Sequence, residues 1–279
     1  MASIRELESL RWDLRQNCVD IIMAGGGGHI GGDMSVIDAL MVLYKNHLNI
    51  TPETASDPDR DRFVLSKGHA MEAYYAILCE GGFLDLEDVT SRFSTFESPY
   101  TGHPNNKLPG IEMNSGSLGH GLPVGVGMAL AAKMDGRDYR SYVFMGDGEL
   151  AEGSVWEGAI SGGSYQLDNL CALVDRNRLQ ISGSTEDVMK QDSQEERWAA
   201  FGWNVLSLPG NDLIALDSAF TLAAKTKGKP TVIIANTTKG YGSPVMEHKA
   251  SWHHHLPNQE EYAQITADLK ARKEAANNA

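Results

Sequence analysis

The chain has 279 residues, 42% of them hydrophobic and 22% charged, which is enough to bury the core of one large globular domain. Its formal net charge of −13 argues against a nucleic-acid surface. No apolar run reaches transmembrane length, and the charged, amphipathic start from Met1 to Trp12 does not resemble a signal peptide. The three cysteines show no C-x-x-C spacing, which predicts free thiols in a reducing compartment and a cytoplasmic protein.

Apolar periodicity and glycine or proline breaks predict alternating helices and strands. In chain order, we expect a helix over 4–23, a glycine-rich break over 25–32, a helix from about 35 to 46, a strand at 62–65, a helix at 71–80, a long loop from 100 into a helix at about 121–134, a strand at 141–145, a helix over 152–165, strands at 170–175, 203–208 and 231–236, and a charged helix over 259–275. This order predicts an α/β fold with one parallel sheet and helices on both faces. We expect residues 1–256 to form this domain and residues 257–279 to form a C-terminal helix and tail.

A glycine-flanked carboxylate follows the predicted strand at 141–145. Asp147 lies between Gly146 and Gly148 at a strand-to-helix turn, and Asn177 follows the next predicted strand. Because ligands of open α/β folds collect where parallel strands end, we expect both side chains at that edge. Mg²⁺ prefers such oxygen ligands and takes others from phosphates and water. The pattern is therefore typical of half a Mg²⁺–diphosphate site, or equally of an ordinary Asp-Gly turn.

Several of the nine histidines lie in small-residue loops at predicted strand or helix ends. They are His29, His69, His103, His120 and the run that starts at His253. A single histidine is more often a surface or structural residue. Four or more on one sheet edge would suit proton transfer and hydroxyl recognition at neutral pH. Zinc binding is the alternative, but none of them has the H-x-x-x-H or H-E-x-x-H spacing.

Motifs along nearly the whole chain resemble, in content and order, the N-terminal, diphosphate-binding part of transketolases. These motifs are Gly28-His-Ile-Gly-Gly32, Leu65-Ser-Lys-Gly-His-Ala70, Thr101-Gly-His-Pro104, Gly116-Ser-Leu-Gly-His-Gly121, Met145-Gly-Asp-Gly-Glu-Leu-Ala-Glu-Gly153, Trp156-Glu157, Val174-Asp-Arg-Asn177, Thr238-Lys-Gly-Tyr-Gly242 and Trp252-His253. Two positions depart from the family pattern. The first loop carries extra glycines and Asp33, and His120 stands where many members have glutamine.

The resemblance implies a thiamine diphosphate enzyme that transfers a two-carbon ketol unit from a ketose to an aldose, with the cofactor supplying the electron sink. Asp147, the Asn177 side chain and the Leu179 carbonyl match the ligands of Mg²⁺, or of another divalent cation such as Ca²⁺ or Mn²⁺. Gly148 and Glu149 would offer backbone N–H groups to the diphosphate at a helix start. The positions that match the cofactor-binding residues are Lys67, His69, Gly116, Leu118, Gly148, Glu149, Lys239 and His253.

The resemblance also implies catalytic roles for four imidazoles that surround the donor sugar: His29, His69, His103 and His253. Glu152 matches a carboxylate at the interface between subunits, which hydrogen-bonds the glutamate that activates the cofactor from the other side. A surface glutamate near a helix start would have the same sequence pattern.

Full-length transketolases continue into a pyrimidine-binding domain, which carries that activating glutamate, and a C-terminal domain. Since neither follows here, we expect a second subunit that supplies both, in a two-fold symmetric heterotetramer. Sugar phosphates would be the substrates, and no membrane or nucleic acid is expected as a partner. The alternatives are the α subunit of a 2-oxo acid dehydrogenase, a deoxyxylulose phosphate synthase, or a non-catalytic cofactor-binding remnant.

Overall fold

The computed structural model describes residues 1–191 and 193–278, so Ala279, the end of the predicted tail, lies outside the described residues. Five parallel strands form the central sheet, in the order β1-β2-β3-β7-β6. A short antiparallel hairpin, β4 with β5, follows β3. The strands are β1 (Arg62–Leu65), β2 (Ser141–Gly146), β3 (Leu170–Arg176), β4 (Leu179–Gln180), β5 (Gly183–Ser184), β6 (Asn204–Pro209) and β7 (Thr231–Asn236).

Ten α-helices are described along the chain, together with a π-helical turn at Leu43–His47 and 3₁₀ turns at Gly148–Ala151 and Ala250–His253. The helices are α1 (Ile4–Gly25), α2 (Ile30–Val42), α3 (Met71–Glu80), α4 (Leu86–Arg92), α5 (Gly121–Asp135), α6 (Gly153–Ser164), α7 (Thr185–Val188), α8 (Gln194–Ala200), α9 (Leu213–Lys225) and α10 (Gln259–Asn278). Within the described ranges, none of them is long and apolar enough to cross a bilayer.

The sheet is buried on both faces, which confirms the predicted α/β architecture. Strands β2 and β3 are buried at every position, and such continuous apolar runs are typical of parallel strands covered on both sides. Alternate residues face opposite layers. Phe144 packs into the layer that holds α1, α2 and α3, whereas its neighbour Val143 packs into the layer that holds α5 and α6.

Helix α1 begins and ends where its sequence provides caps. Ser3 and Glu6 form a capping box at its start, and Gly26 closes it in the left-handed conformation at φ 69°. At the other end of the chain α10 packs against α1, with Ile265 and Leu269 buried between them. The predicted C-terminal helix is thus part of the same packed body as the sheet.

One helix start differs from the prediction. Helix α2 begins at Ile30 rather than near residue 35, because the glycines after His29 are already helical. Helix α6 begins at Gly153, within one residue of the predicted start at 152. Gly148 and Glu149 lie at the start of a separate 3₁₀ turn, Gly148–Ala151, between β2 and α6. The hairpin and helices α4, α7, α8 and α9 were not predicted.

Candidate active site

The loops after β1, β2, β3 and β7 enclose a cavity of about 350 Å³ at the carboxyl edge of the sheet. This is the edge where open α/β folds place ligands. The sequence-predicted site residues that line the cavity are His29, Lys67, His69, His103, Gly116, Leu118, Asp147, Gly148, Glu149, Asn177, Leu179, Lys239 and His253. The structure therefore brings together every predicted site residue except Glu152.

Three oxygen donors predicted as metal ligands meet in this cavity. Asp147 accepts the N–H groups of Gly148 at 2.9 Å and Arg178 at 2.6 Å. The Asn177 Oδ1 atom accepts the Leu179 N–H at 3.1 Å, which aligns the two residues. The Leu179 carbonyl accepts the Lys239 ammonium at 3.3 Å. Carboxylate, amide and carbonyl oxygens are the hard donors that Mg²⁺ prefers.

Asp147 is buried close to another carboxylate, and only 2% of its surface is exposed. Burial and then the nearby carboxylate of Asp175 raise the pKa of Asp147 to about 6. A bound divalent cation would offset both effects, because it would place a positive charge next to Asp147.

A buried ion pair next to Asp147 was not predicted as part of the site. The Lys67 ammonium donates to Asp175 at 2.5 Å and to the Gly32 carbonyl at 2.9 Å. Asp175 also accepts the Ser35 hydroxyl at 2.6 Å and the Thr237 hydroxyl. Burial alone would raise the pKa of Asp175, but Lys67 and these hydrogen bonds hold it below the usual value. The sequence feature that could have indicated this ion pair is Asp175, a carboxylate at the end of the predicted apolar strand 170–175.

Glu149 directs its side chain away from the cavity and into the protein. Its carboxylate accepts the Gly119 N–H at 2.7 Å, the Gly146 N–H at 3.1 Å and the Ser66 hydroxyl. These bonds join the loops after β1 and β2 to the start of α5. Burial raises the pKa of Glu149. Only its backbone is available to a ligand in the cavity.

Lys239 and His253 form a second polar contact at the cavity. The Lys239 ammonium lies 2.9 Å from His253 Nδ1. Burial, followed by the charge of Lys67, lowers the pKa of Lys239 to about 8. As a protonated donor, Lys239 requires a lone pair at Nδ1, so the neutral His253 ring carries its hydrogen at Nε2.

The four predicted imidazoles lie together. The ring centre of His29 is 5.2 Å from that of His69, 5.9 Å from that of His103 and 5.5 Å from that of His253. Burial is the largest cause that lowers the pKa of each. The pKa falls to about 3 for His29 and for His253. These rings are therefore neutral near pH 7, so each can donate one hydrogen bond and accept another.

His254 is a fifth imidazole at the cavity, and its side chain was not predicted to belong to the site. Its ring centre lies 3.9 Å from that of His29. One nitrogen from each of His29, His253 and His254 lies within 4.8 Å of the others, a separation from which three ligands could hold a metal. Burial first, then the neighbouring His254 and His103 and finally Lys67 and Lys239, lower the pKa of His29.

The loop that carries Gly116 and Leu118 closes one side of the cavity. Gly116 has φ 137°, and a Cβ atom there would lie 2.7 Å from His103 Cδ2. Only glycine permits both the conformation and the close approach of the imidazole. Glu152, in contrast, is exposed at the N-cap of α6, outside the cavity. His120 is also exposed and does not line it.

Together, the fold and the site define an open α/β protein with a polar cavity suited to a phosphate-bearing ligand and a divalent cation. The chain matches, over residues 9–274, the family described as transketolase, thiamine diphosphate binding domain. This chain belongs to that family. Its sheet of parallel strands with helices on both faces is the thiamine diphosphate-binding fold of transketolases.

Relatives of similar length are transketolase subunits. The chain is 48% identical to one of the subunits of apulose-4-phosphate transketolase from Phocaeicola vulgatus, over 93% of this chain and 92% of that one. It is 38% identical to the 6-deoxy-6-sulfo-D-fructose transketolase subunit SqwG of a Clostridium species, over 88% and 89%. Among solved structures, transketolase from Campylobacter jejuni superposes with a TM-score of 0.90 at 29% identity. That match covers 99% of this chain but 46% of the other, so the chain spans less than half of the solved transketolase.

Proposed function

We propose that this chain is one subunit of a two-subunit transketolase, which transfers a two-carbon ketol unit from a phosphorylated ketose to an aldose. The observation that carries the proposal is the convergence of four neutral imidazoles with the oxygen donors of Asp147, Asn177 and Leu179 on one cavity. The named subunits among the relatives have nearly the same length as this chain. Their names supply the reaction class.

The cavity fits thiamine diphosphate with Mg²⁺, or with Ca²⁺ or Mn²⁺ in its place. The clustering of the Asp147, Asn177 and Leu179 oxygens at the cavity favours a cation there, and the raised pKa of the buried Asp147 agrees with this. We assign the metal to Asp147, Asn177 and the Leu179 carbonyl. Lys239 would move from that carbonyl toward the diphosphate, because the cation and the ammonium compete for the same lone pairs. When bound, the cofactor supplies the electron sink for cleavage of the ketose carbon–carbon bond.

The remaining lining residues orient the cofactor and the sugar. The Gly148 and Glu149 N–H groups, Lys67, His69, Lys239 and His253 form the polar wall for the diphosphate. Gly116 and Leu118 hold the ring portion of the cofactor. In the proposed reaction His29, His69, His103 and His253 donate to the sugar hydroxyls and carbonyl oxygen and carry protons between them, as neutral imidazoles do well.

The second subunit would complete the site with a pyrimidine-binding domain, a C-terminal domain and the glutamate that activates the cofactor. Exposed Glu152, beside the cavity loop at Gly119, would contact that glutamate across the interface. We expect two copies of each subunit, which light scattering of the purified complex would measure as a heterotetramer. We further propose a cytoplasmic location, which the three unpaired cysteines support.

Ketol transfer by the reconstituted pair tests the function directly. The chain would be purified with its second subunit, loaded with thiamine diphosphate and Mg²⁺, and offered a panel of ketose phosphates with aldose acceptors. Apulose 4-phosphate is the first donor to test, on the basis of the Phocaeicola vulgatus relative. Failure of every donor with a fully loaded cofactor would refute the proposed reaction.

Cofactor binding tests the metal assignment separately. Titration calorimetry of the complex should show that Asp147→Ala abolishes Mg²⁺-dependent binding of thiamine diphosphate. Asp59→Ala is the matched control, since Asp59 is exposed and forms only a surface ion pair with Arg137. Unchanged cofactor affinity in Asp147→Ala would show that the metal lies elsewhere. Absence of binding in the wild-type complex would instead refute the cofactor assignment as a whole.

A further inference from the structure

Two buried carboxyl groups lie behind the loop that carries His29, outside the cavity. Asp33 belongs to the first turn of α2, and Glu72 belongs to the first turn of α3. Both are 0% exposed. The proposed reaction assigns neither of them a role, although each follows a predicted catalytic imidazole by a few residues: His29 precedes Asp33, and His69 precedes Glu72.

The two acids meet where α2 and α3 begin. Asp33 Oδ1 accepts the Ala73 N–H at 3.0 Å, one of the free amide groups in the first turn of α3. Ala70, at the N-cap of α3, has no side chain that could do so. Glu72 precedes Ala73, and its carboxyl group interacts with that of Asp33, since burial and then Asp33 raise the pKa of Glu72. Asp33 thus links α2 to the start of α3, with Glu72 beside it.

The glycine-rich loop is shaped around this pair. A Cβ atom on Gly28 would lie 2.9 Å from Glu72 Oε1 and 2.7 Å from Ile22 Cγ1. A Cβ atom on Gly102, beside His103, would lie 3.8 Å from the same oxygen. The glutamate therefore occupies the space behind two histidine loops. Its presence explains why Gly28 accepts no side chain.

The pair is short of hydrogen-bond donors. Among the described residues, Asp33 Oδ2 and both oxygens of Glu72 have no hydrogen-bond partner. Burial raises the pKa of Asp33 to about 7 and raises that of Glu72 well above its usual value. Lys67 is the cation that acts on Asp33, but Asp175 already neutralises it. Cys18 adds no charge, because burial and these same acids raise the pKa of its thiol. A single proton held between the carboxyl groups would give each of them a hydrogen bond and would remove the repulsion between two negative charges.

We propose that Asp33 and Glu72 share one proton and act together as positioning residues, which fix the spacing of the His29 and His69 imidazoles. The proposal rests on the function proposed above. Because Asp33 links α2 to the start of α3 and Glu72 would hold the shared proton beside it, breaking the pair would let the two imidazoles move apart by a fraction of an ångström. Neither acid touches the sugar or the cofactor.

The test compares an amide and an apolar substitution at Glu72 in the purified complex. Glu72→Gln keeps the size and offers an N–H donor to Asp33, so it should retain kcat within about threefold of wild type. Glu72→Met keeps the size but offers no hydrogen bond, so kcat should fall about 10- to 100-fold, the range expected for slight misplacement of reacting groups. Thiamine diphosphate affinity should stay unchanged in both, since the diphosphate wall is intact. Glu80→Met in the same helix is the control, because Glu80 is exposed and pairs only with Lys45.

Two spectroscopic readouts act independently of turnover. Infrared spectra at neutral pH should show the carbonyl band of a protonated carboxylic acid in wild type, and it should be absent in Glu72→Gln and in Asp33→Asn. The imidazole NMR signals of His29 and His69 should shift in Glu72→Met and not in Glu72→Gln. Equal loss of kcat in both Glu72 variants, or a missing carboxylic acid band in wild type, would overturn the proposal. If wild type transfers no ketol unit, the proposed function fails, while the infrared and NMR results still decide on the pair.

Discussion

Asp38 is the carboxylate whose loss should destabilise this fold most clearly. It is fully buried on α2 and accepts hydrogen bonds from Arg11 at 3.0 Å and Arg15 at 2.7 Å. Both arginines belong to α1, and Arg15 also donates to the Tyr241 carbonyl in the loop that carries Lys239. We expect Asp38→Asn to lower the free energy of unfolding by about 3–5 kcal/mol at pH 7, because two buried guanidinium groups would lose their counter-charge.

The pH dependence of this effect follows from the pKa of Asp38. Burial alone would raise it, but Arg11 and Arg15 lower it from 3.8 to about 2. The part of the stabilisation that depends on pH is therefore present above pH 3.8 and is lost as pH falls toward 2, and it amounts to about 2–3 kcal/mol.

Urea unfolding followed by tryptophan fluorescence provides the assay for Asp38→Asn. The difference between wild type and variant should be largest near neutral pH and should shrink below pH 4. Asp59→Asn is the control, since Asp59 is 71% exposed and its pair with Arg137 should contribute under about 1 kcal/mol. A loss below 1 kcal/mol at pH 7, or a loss that does not change down to pH 3, would refute the reasoning.

Three further substitutions test the site and its support. Asp175→Asn should weaken thiamine diphosphate binding, measured by calorimetry, at least tenfold, because it leaves the buried Lys67 without its carboxylate and removes a negative charge near the proposed metal ligands. An unchanged affinity would contradict this. Gly121→Ala should destabilise the chain by about 1–3 kcal/mol, since the new Cβ would lie 2.3 Å from Ser66. Gly127→Ala lies in open space on the same helix and should stabilise the chain by about 0.5–1 kcal/mol. Changes of melting temperature in the same direction for both variants would contradict this packing. His29→Asn should gain stability relative to wild type as pH falls from 6.5 to about 3, because over this range the His29 ring binds a proton in the unfolded wild-type chain but not in the folded one. A stability difference that stays constant over this range in urea titrations would contradict this.

Much of the site could be predicted because its elements alternate regularly. The strand at 62–65, the helix at 71–80 and the strand at 231–236 were predicted with the observed bounds. Once the parallel order is accepted, residues that follow neighbouring strands must meet at one edge, so Asp147 and Asn177 fall together. The other site residues were predicted from the resemblance of the sequence motifs to those of transketolases. The hydrogen bonds that the Glu149 side chain accepts from the Ser66 hydroxyl and the Gly119 N–H could not be predicted, because both partners are far from Glu149 in sequence.

The sequence by itself determined the α/β class, the carboxyl-edge location of the site and the types of group gathered there, because these follow from local periodicity and from residues adjacent to strand ends. Tertiary structure alone decided which charges are paired. The resemblance implied that Lys67 faces the diphosphate, and only the packed structure showed that its ammonium is also paired with Asp175. In the sequence, Asp33 was only a departure from the family pattern in a glycine-rich loop, and the packing of the helices placed it in the same buried space as Glu72. Such pairings depend on how helices pack across the sheet, at sequence separations that no local pattern records.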